Sequence, residues 1–152
     1  MTKRKGFTLV EMLIVVVILG ILAAIVIPQI SDASEEAKLS TLVSDLQMVR
    51  SQIQLYKLQH KAALPGTVNG AANFGDAMTK YTDSDGKLAA TQAPADGVYG
   101  PYLQTIPKNP FNNSNEVSIG VGSPPGDDNS GWYFNNATGT FNANDSTAHA
   151  AL

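Results

Sequence analysis

The stretch from Phe7 to Ile30 limits more than any other what this chain can become. It is 24 residues long, and from Met12 to Ile27 it holds no polar side chain. A helix of that length, rising about 1.5 Å per residue, reaches about 36 Å. That is enough to cross a hydrocarbon core of about 30 Å. Lys3, Arg4 and Lys5 precede it, and a short basic flank of this kind is retained on the cytoplasmic side. The plainest reading is a signal peptide or signal anchor. Two features depart from a cleaved signal: the run exceeds the usual apolar core of about 7–15 residues, and amphipathic sequence continues past it without a break. The odd residue is Glu11. A carboxylate inside a membrane span is costly and points to a functional site with a partner.

The segment Lys5-Gly6-Phe7-Thr8-Leu9-Val10-Glu11, with the apolar run behind it, resembles the processing motif of type IV pilins and type II secretion pseudopilins. The resemblance is close over residues 1–60 and looser beyond. It implies that a prepilin peptidase cuts between Gly6 and Phe7 and N-methylates Phe7, and that the leader stays in the cytoplasm. It also implies that Glu11 pairs with the terminal amine of Phe7 on a neighbouring subunit. The physics agrees. Cleavage exposes an α-amine whose reference pKa is about 7.7–8.0, methylation keeps its charge, and in hydrocarbon each of the two charges neutralises the other. A local alternative stays open, in which Glu11 pairs with its own terminus or favours the positive end of the helix dipole.

Composition excludes several classes. The 152 residues suffice for one domain and an anchor. With no cysteine, neither a disulfide-stapled fold nor thiol chemistry is available; many pilins staple a C-terminal loop in that way. Without the first six residues the chain holds seven Lys/Arg against thirteen Asp/Glu, a net charge of about −6, and no Lys or Arg follows Lys108. No basic nucleic-acid footprint is present. The only imidazoles are His60 and His149, and neither belongs to a catalytic arrangement. The glycine-rich stretch Gly120–Gly126 contains Pro124 and Pro125 and lacks a following lysine, so it is not a phosphate loop.

Along the chain, Pro28 has no N–H for the carbonyl of Ala24 and should kink or loosen the helix. The resemblance implies more: Gly20 to Pro28 is the segment that loses regular structure in an assembled filament. Beyond it, Ile30, Ala33, Ala37, Leu42, Leu46, Val49, Ile53 and Tyr56 form a helical stripe. The spacing predicts one helix from Phe7 to Lys61, its stripe covered by the C-terminal domain; a coiled-coil partner is the alternative. Asn73 to Tyr81 reads as a short helix. Thr82–Gly86 reads as a polar turn that echoes the start of a calcium loop without its distal Glu. Gly100–Phe111 is punctuated by prolines and is similar to the loop that precedes the sheet in major pseudopilins. Here Asn109 stands where that family usually carries an acid, and Phe111 where it carries tryptophan. Glu116–Gly122 alternates as a half-buried strand would. Gly131–Asn135 and Gly139–Phe141 read as a hairpin, and the tail after Asn144 reads as frayed. Asp127 and Asp128 offer hard oxygen ligands; the resemblance implies calcium on a C-terminal loop, and these are the candidate ligands.

The expected fold class is α+β, a pilin-like fold with a long N-terminal helix packed on a small C-terminal antiparallel sheet. The expected divisions are a leader at 1–6, a transmembrane and assembly half at 7–30, an amphipathic half at 31–61 and a globular domain at 62–152. The resemblance implies a filament subunit, not an enzyme: a major pseudopilin of type II secretion, or alternatively a type IV pilus pilin serving adhesion, motility or DNA uptake. An unprocessed membrane-anchored binding module is the reading from another class. Implied partners are further copies of the chain, the prepilin peptidase, an inner-membrane platform with its assembly ATPase, minor pilins or pseudopilins, and membrane lipid before assembly. Implied placement is the cytoplasmic membrane, crossed once, with the domain in the periplasm and then in a filament.

Overall fold

The computed structural model describes residues 6–67 and 73–152, and of residues 27–32 only the backbone. The basic residues of the leader and Ile30 of the expected stripe therefore lie outside the described side chains. The chain divides into two compact units, Met1–Lys38 and Leu39–Leu152.

One helix, α1 (Leu9–Gln59), contributes to both units. Its start is a capping box. The Thr8 N–H and hydroxyl donate to Glu11 Oε2 at 2.8 and 2.7 Å, and the Glu11 N–H donates to Thr8 Oγ1 at 3.2 Å. The backbone is helical at Gly20 and at Pro28. The chain leaves α1 through Lys61 and Ala62, both in the left-handed region.

The second unit is built on the stripe, which starts later than its periodicity suggests. Leu42, Leu46, Val49, Ile53 and Tyr56 are buried, whereas Ala33 is exposed. Against them pack α2 (Phe74–Thr79) and two three-stranded sheets. Asn73 caps α2, its Oδ1 accepting the Asp76 N–H at 2.8 Å. Phe74, Ala77 and Met78 are buried, while Tyr81, expected within the helix, opens a strand. The first sheet runs β2-β1-β3, all antiparallel, from β1 (Tyr81–Asp83), β2 (Leu88–Ala89) and β3 (Val98–Tyr99). The polar turn thus begins only at Ser84. Asp83 Oδ1 closes it by accepting the N–H groups of Asp85 and Lys87 at 3.0 and 2.9 Å.

The second sheet runs β4-β5-β6, from β4 (Val117–Gly120), β5 (Trp132–Asn135) and β6 (Phe141–Ala143). The expected hairpin is β5–β6, but β4 pairs with β5 in parallel, so this sheet is mixed. β4 is only partly covered. Val117 packs on the core, while Ile119 is 50% and Val121 75% exposed; the expected alternation of three inward residues does not hold. β5 is buried at all four positions. Trp132, Phe134 and Phe141 stack around Phe74 and each other at centroid distances of 4.5–5.7 Å. Each such ring removes enough apolar surface from water to stabilise the fold by about 1.5–3 kcal/mol. Trp132 Nε1–H also donates to the Pro107 carbonyl at 2.8 Å.

The tail is docked, which corrects the frayed ending read from its composition. His149 Nδ1 meets Asp145 Oδ2 at 2.5 Å, and its ring lies 4.2 Å from that of Phe111. Asn142 Nδ2 donates to Ala150 O at 3.1 Å. From α1, Arg50 donates through Nε to Phe141 O at 2.8 Å and through Nη1 to Leu152 O at 3.1 Å. Small polar residues hold this segment because their partners are distant in sequence and fixed by the core.

Candidate functional site

Leu9–Val26 is an 18-residue helix long and apolar enough to cross a membrane, and none of it is buried. Its large side chains are 46–82% exposed. Gly6 and Phe7 precede it in irregular backbone. Phe7 is 74% exposed, and a Cβ at Gly6 would meet nothing within 4 Å, so the Gly6–Phe7 peptide is sterically open. One turn on stands Glu11. Both donors from Thr8 go to its Oε2; its Oε1 takes no hydrogen bond among the described residues. The arrangement is an open peptide, an apolar helix without internal cover, and one carboxylate with an oxygen to offer. Gly20 likewise has open space around it.

In the second unit several buried polar side chains are bonded to one another and to backbone. His60 is fully buried. It stacks on Tyr56 with ring centroids 3.8 Å apart. Its Nδ1–H donates to the Tyr56 carbonyl at 2.9 Å and its Nε2 accepts the Thr82 hydroxyl at 2.9 Å, the pairing of a neutral imidazole. Burial lowers its pKa, more than the nearby Tyr56 carbonyl and Asp83 raise it. The same burial pushes the Tyr56 hydroxyl up to about 12. Asn109, fully buried, donates to Gly131 O at 2.9 Å and to Asp145 Oδ1 at 2.7 Å. The carboxylate at this corner comes from the tail. A cleft of about 810 Å³ lies between Arg50, Ser51 and Gln54 of α1 and Val121–Pro124; Arg50 is already bonded to two backbone carbonyls.

Asp127 and Asp128 sit on the loop between β4 and β5. Gly126 precedes them with φ +61°, and a Cβ there would lie 2.5 Å from Thr147 N, so the loop needs glycine to close on the tail. Asp127 Oδ1 accepts Asn144 Nδ2–H at 2.8 Å and the Asn129 N–H at 3.2 Å; Oδ2 accepts Asn129 Nδ2–H at 2.7 Å. These bonds, the Asn129 side chain first, hold the Asp127 carboxyl below the usual carboxylate range. Asp128 Oδ1 accepts Asn112 Nδ2–H at 2.8 Å. Calcium takes six to eight oxygen ligands. Here the carboxylates face N–H donors, and no cluster of three or more acids, histidines or cysteines that could hold a metal exists among the described residues. The donor set as arranged does not fit the ion.

Residues 1–27 match the family model described as the prokaryotic N-terminal methylation motif. The chain is 35% identical over 116 residues to the type II secretion system core protein G of Pseudomonas aeruginosa, covering 72% of this chain and 80% of the relative. The proteins of the same name from Vibrio cholerae and Aeromonas hydrophila are each 34% identical, over 113 residues (74% and 69% of the two chains) and 111 residues (73% and 70%). The chain belongs to the type II secretion core protein G family of pseudopilins. No solved structure matches it.

Gly6, Phe7 and Glu11, the residues expected to be processed and to pair, all lie at the start of α1. Thr8, part of the same motif, is joined to Glu11 by the capping bonds. Its signal was present: Thr8-Leu9-Val10-Glu11 has the spacing of a capping box. Asp127 and Asp128 lie in the other unit.

Proposed function

We propose that this pseudopilin is the repeating subunit of a type II secretion filament, held in the cytoplasmic membrane by α1 until it is assembled. The observation that carries this is the helix Leu9–Val26, exposed on every side, with one carboxylate a turn beyond an open Gly6–Phe7 peptide. A helix apolar all round needs lipid or other helices around it. In lipid the first N–H groups of a helix need local acceptors, and here Glu11 accepts the Thr8 N–H while Thr8 accepts the Glu11 N–H.

Cleavage after Gly6 places a cationic amine on Phe7, close to its own Glu11 and free to meet the Oε1 of a neighbour's. Pairing of that kind neutralises both charges and sets the register between copies. Transfer from lipid to a bundle gains little hydrophobic free energy, since acyl chains are as apolar as leucine; extraction therefore calls for an external energy source, in this reading an assembly ATPase acting through a membrane platform. Minor pseudopilins complete the filament. The chain is the substrate of the prepilin peptidase and performs no chemistry itself. Gly20 to Pro28 is the segment that extends in the filament, since Gly20 lowers helix propensity and Pro28 lacks one helix donor.

Mass spectrometry of washed membranes and sheared surface fibres tests the reading. A chain beginning at N-methyl Phe7 and retained in the envelope is expected. A chain still carrying Met1–Gly6 in a functional secretion system would overturn it, and abundance in sheared fibres would move the assignment to a surface pilus.

A further inference from the structure

Asn144 follows β6 and is fully buried, and nothing in the filament reading uses it. All its polar groups face one loop, residues 126–131. Its backbone N–H donates to Gly131 O at 3.1 Å, and its carbonyl accepts the Asp128 N–H at 2.9 Å. Its Oδ1 accepts the Gly126 N–H at 2.9 Å. Its Nδ2 donates to Asp127 Oδ1 at 2.8 Å and to Ser130 Oγ at 2.9 Å. The amide cannot be turned over, because that would set its NH2 against the Gly126 N–H and its oxygen against Asp127. Asn112 is fixed in the same way. Its Oδ1 accepts the Ser114 N–H at 3.1 Å, which leaves Nδ2 for Asp128 Oδ1 at 2.8 Å and Ser130 O at 3.0 Å.

The loop therefore wraps a side chain. Two adjacent carboxylates repel each other, and a calcium loop relieves that repulsion with a cation and a shell of oxygens. Here the positive ends of amide dipoles from Asn112, Asn129 and Asn144 meet the carboxylates instead. We propose that Asn144 and Asn112 form an amide clamp that closes the 126–131 loop in place of calcium, so that this pseudopilin folds and keeps its loop without the cation that its family resemblance implies. The proposal does not depend on the filament reading.

Thermal unfolding of the full-length chain in detergent tests it, followed by the emission of Trp132, the single tryptophan. The wild-type midpoint should be the same in excess calcium chloride as in a chelator. Asn144→Asp should melt lower in the chelator, by about 4 °C or more, because it replaces a donor to Asp127 with a third carboxylate, and calcium should restore much of the loss. Should that variant fail to fold, Asn112→Asp at the rim of the loop carries the same test. A wild-type midpoint that climbs with calcium, or saturable calcium binding by calorimetry, would overturn the proposal. So would Asn144→Asp and Asn112→Asp melting like wild type in the chelator.

Discussion

Two stretches of α1 face opposite situations. From Leu9 to Val26 the large apolar side chains are 46–82% exposed, whereas Leu42, Leu46, Val49, Ile53 and Tyr56 are at most 1% exposed. The difference is written in their patterns. The second stretch is apolar on one stripe, which the sheets and α2 cover within the same chain. The first is apolar on every face, more than any single packing partner in one chain can cover. One stretch is complete on folding; the other is complete only with lipid or further copies. Mutations should therefore divide cleanly between folding and assembly according to where they fall.

The largest effect belongs to the covered stretch and its partners. Phe134→Ala should lose about 3–5 kcal/mol, read as a lower unfolding midpoint, while processing at Gly6 continues. Glu11→Ala should do the reverse: an unchanged melting curve with assembled filament reduced about tenfold or more, measured by cross-linking in membranes. Normal filaments in that variant would remove the charge pairing from the argument. Asn73→Ala, which deletes the cap of α2, should cost about 1 kcal/mol and leave assembly alone. His60 gives a pH dependence. Its folded pKa lies below its unfolded value of about 6.5, so the unfolded chain binds more protons as pH falls through that region. Stability is then full above about pH 6.5 and declines below it, by no more than about 1.36 kcal/mol per pH unit. Tyr56, Tyr99, Tyr102 and Thr82 surround the ring and Asp83 is the nearby charge; His60→Gln should flatten the profile. Smallest of all, Val16→Ala on the exposed stretch should move the melting curve by less than about 0.5 kcal/mol.

What could be read from the sequence followed from strong periodicity. The stripe from Leu42 to Tyr56, the helix after Asn73 and the aromatic hairpin of β5 and β6 each repeat a pattern that local geometry fixes. The β2-β1-β3 sheet was hidden because its strands are two or three residues long and one of them carries Thr82 and Asp83. The exposure of Ile119 was hidden because alternation fixes the face it shares with Val117, not whether another element covers it there. The docked tail depends on Asn109, 36 residues from Asp145, and the surroundings of Asp127 and Asp128 depend on Asn144 and Asn112, 17 and 16 residues away. Amide donors at such distances leave no local mark. The N-terminal site was legible as far as Glu11, and its Thr8 partner was legible only in a spacing shared with many soluble helices.

Arg50 joins α1 to carbonyls 91 and 102 residues further along the chain, and the stripe beside it is covered by Trp132–Ala143. Contacts so far apart set a timetable. A polypeptide delivered across a membrane with its early residues first has Leu42–Tyr56 outside long before the segment that shields it arrives. In the placement proposed above, the stripe stays bare on the far side of the membrane for that interval.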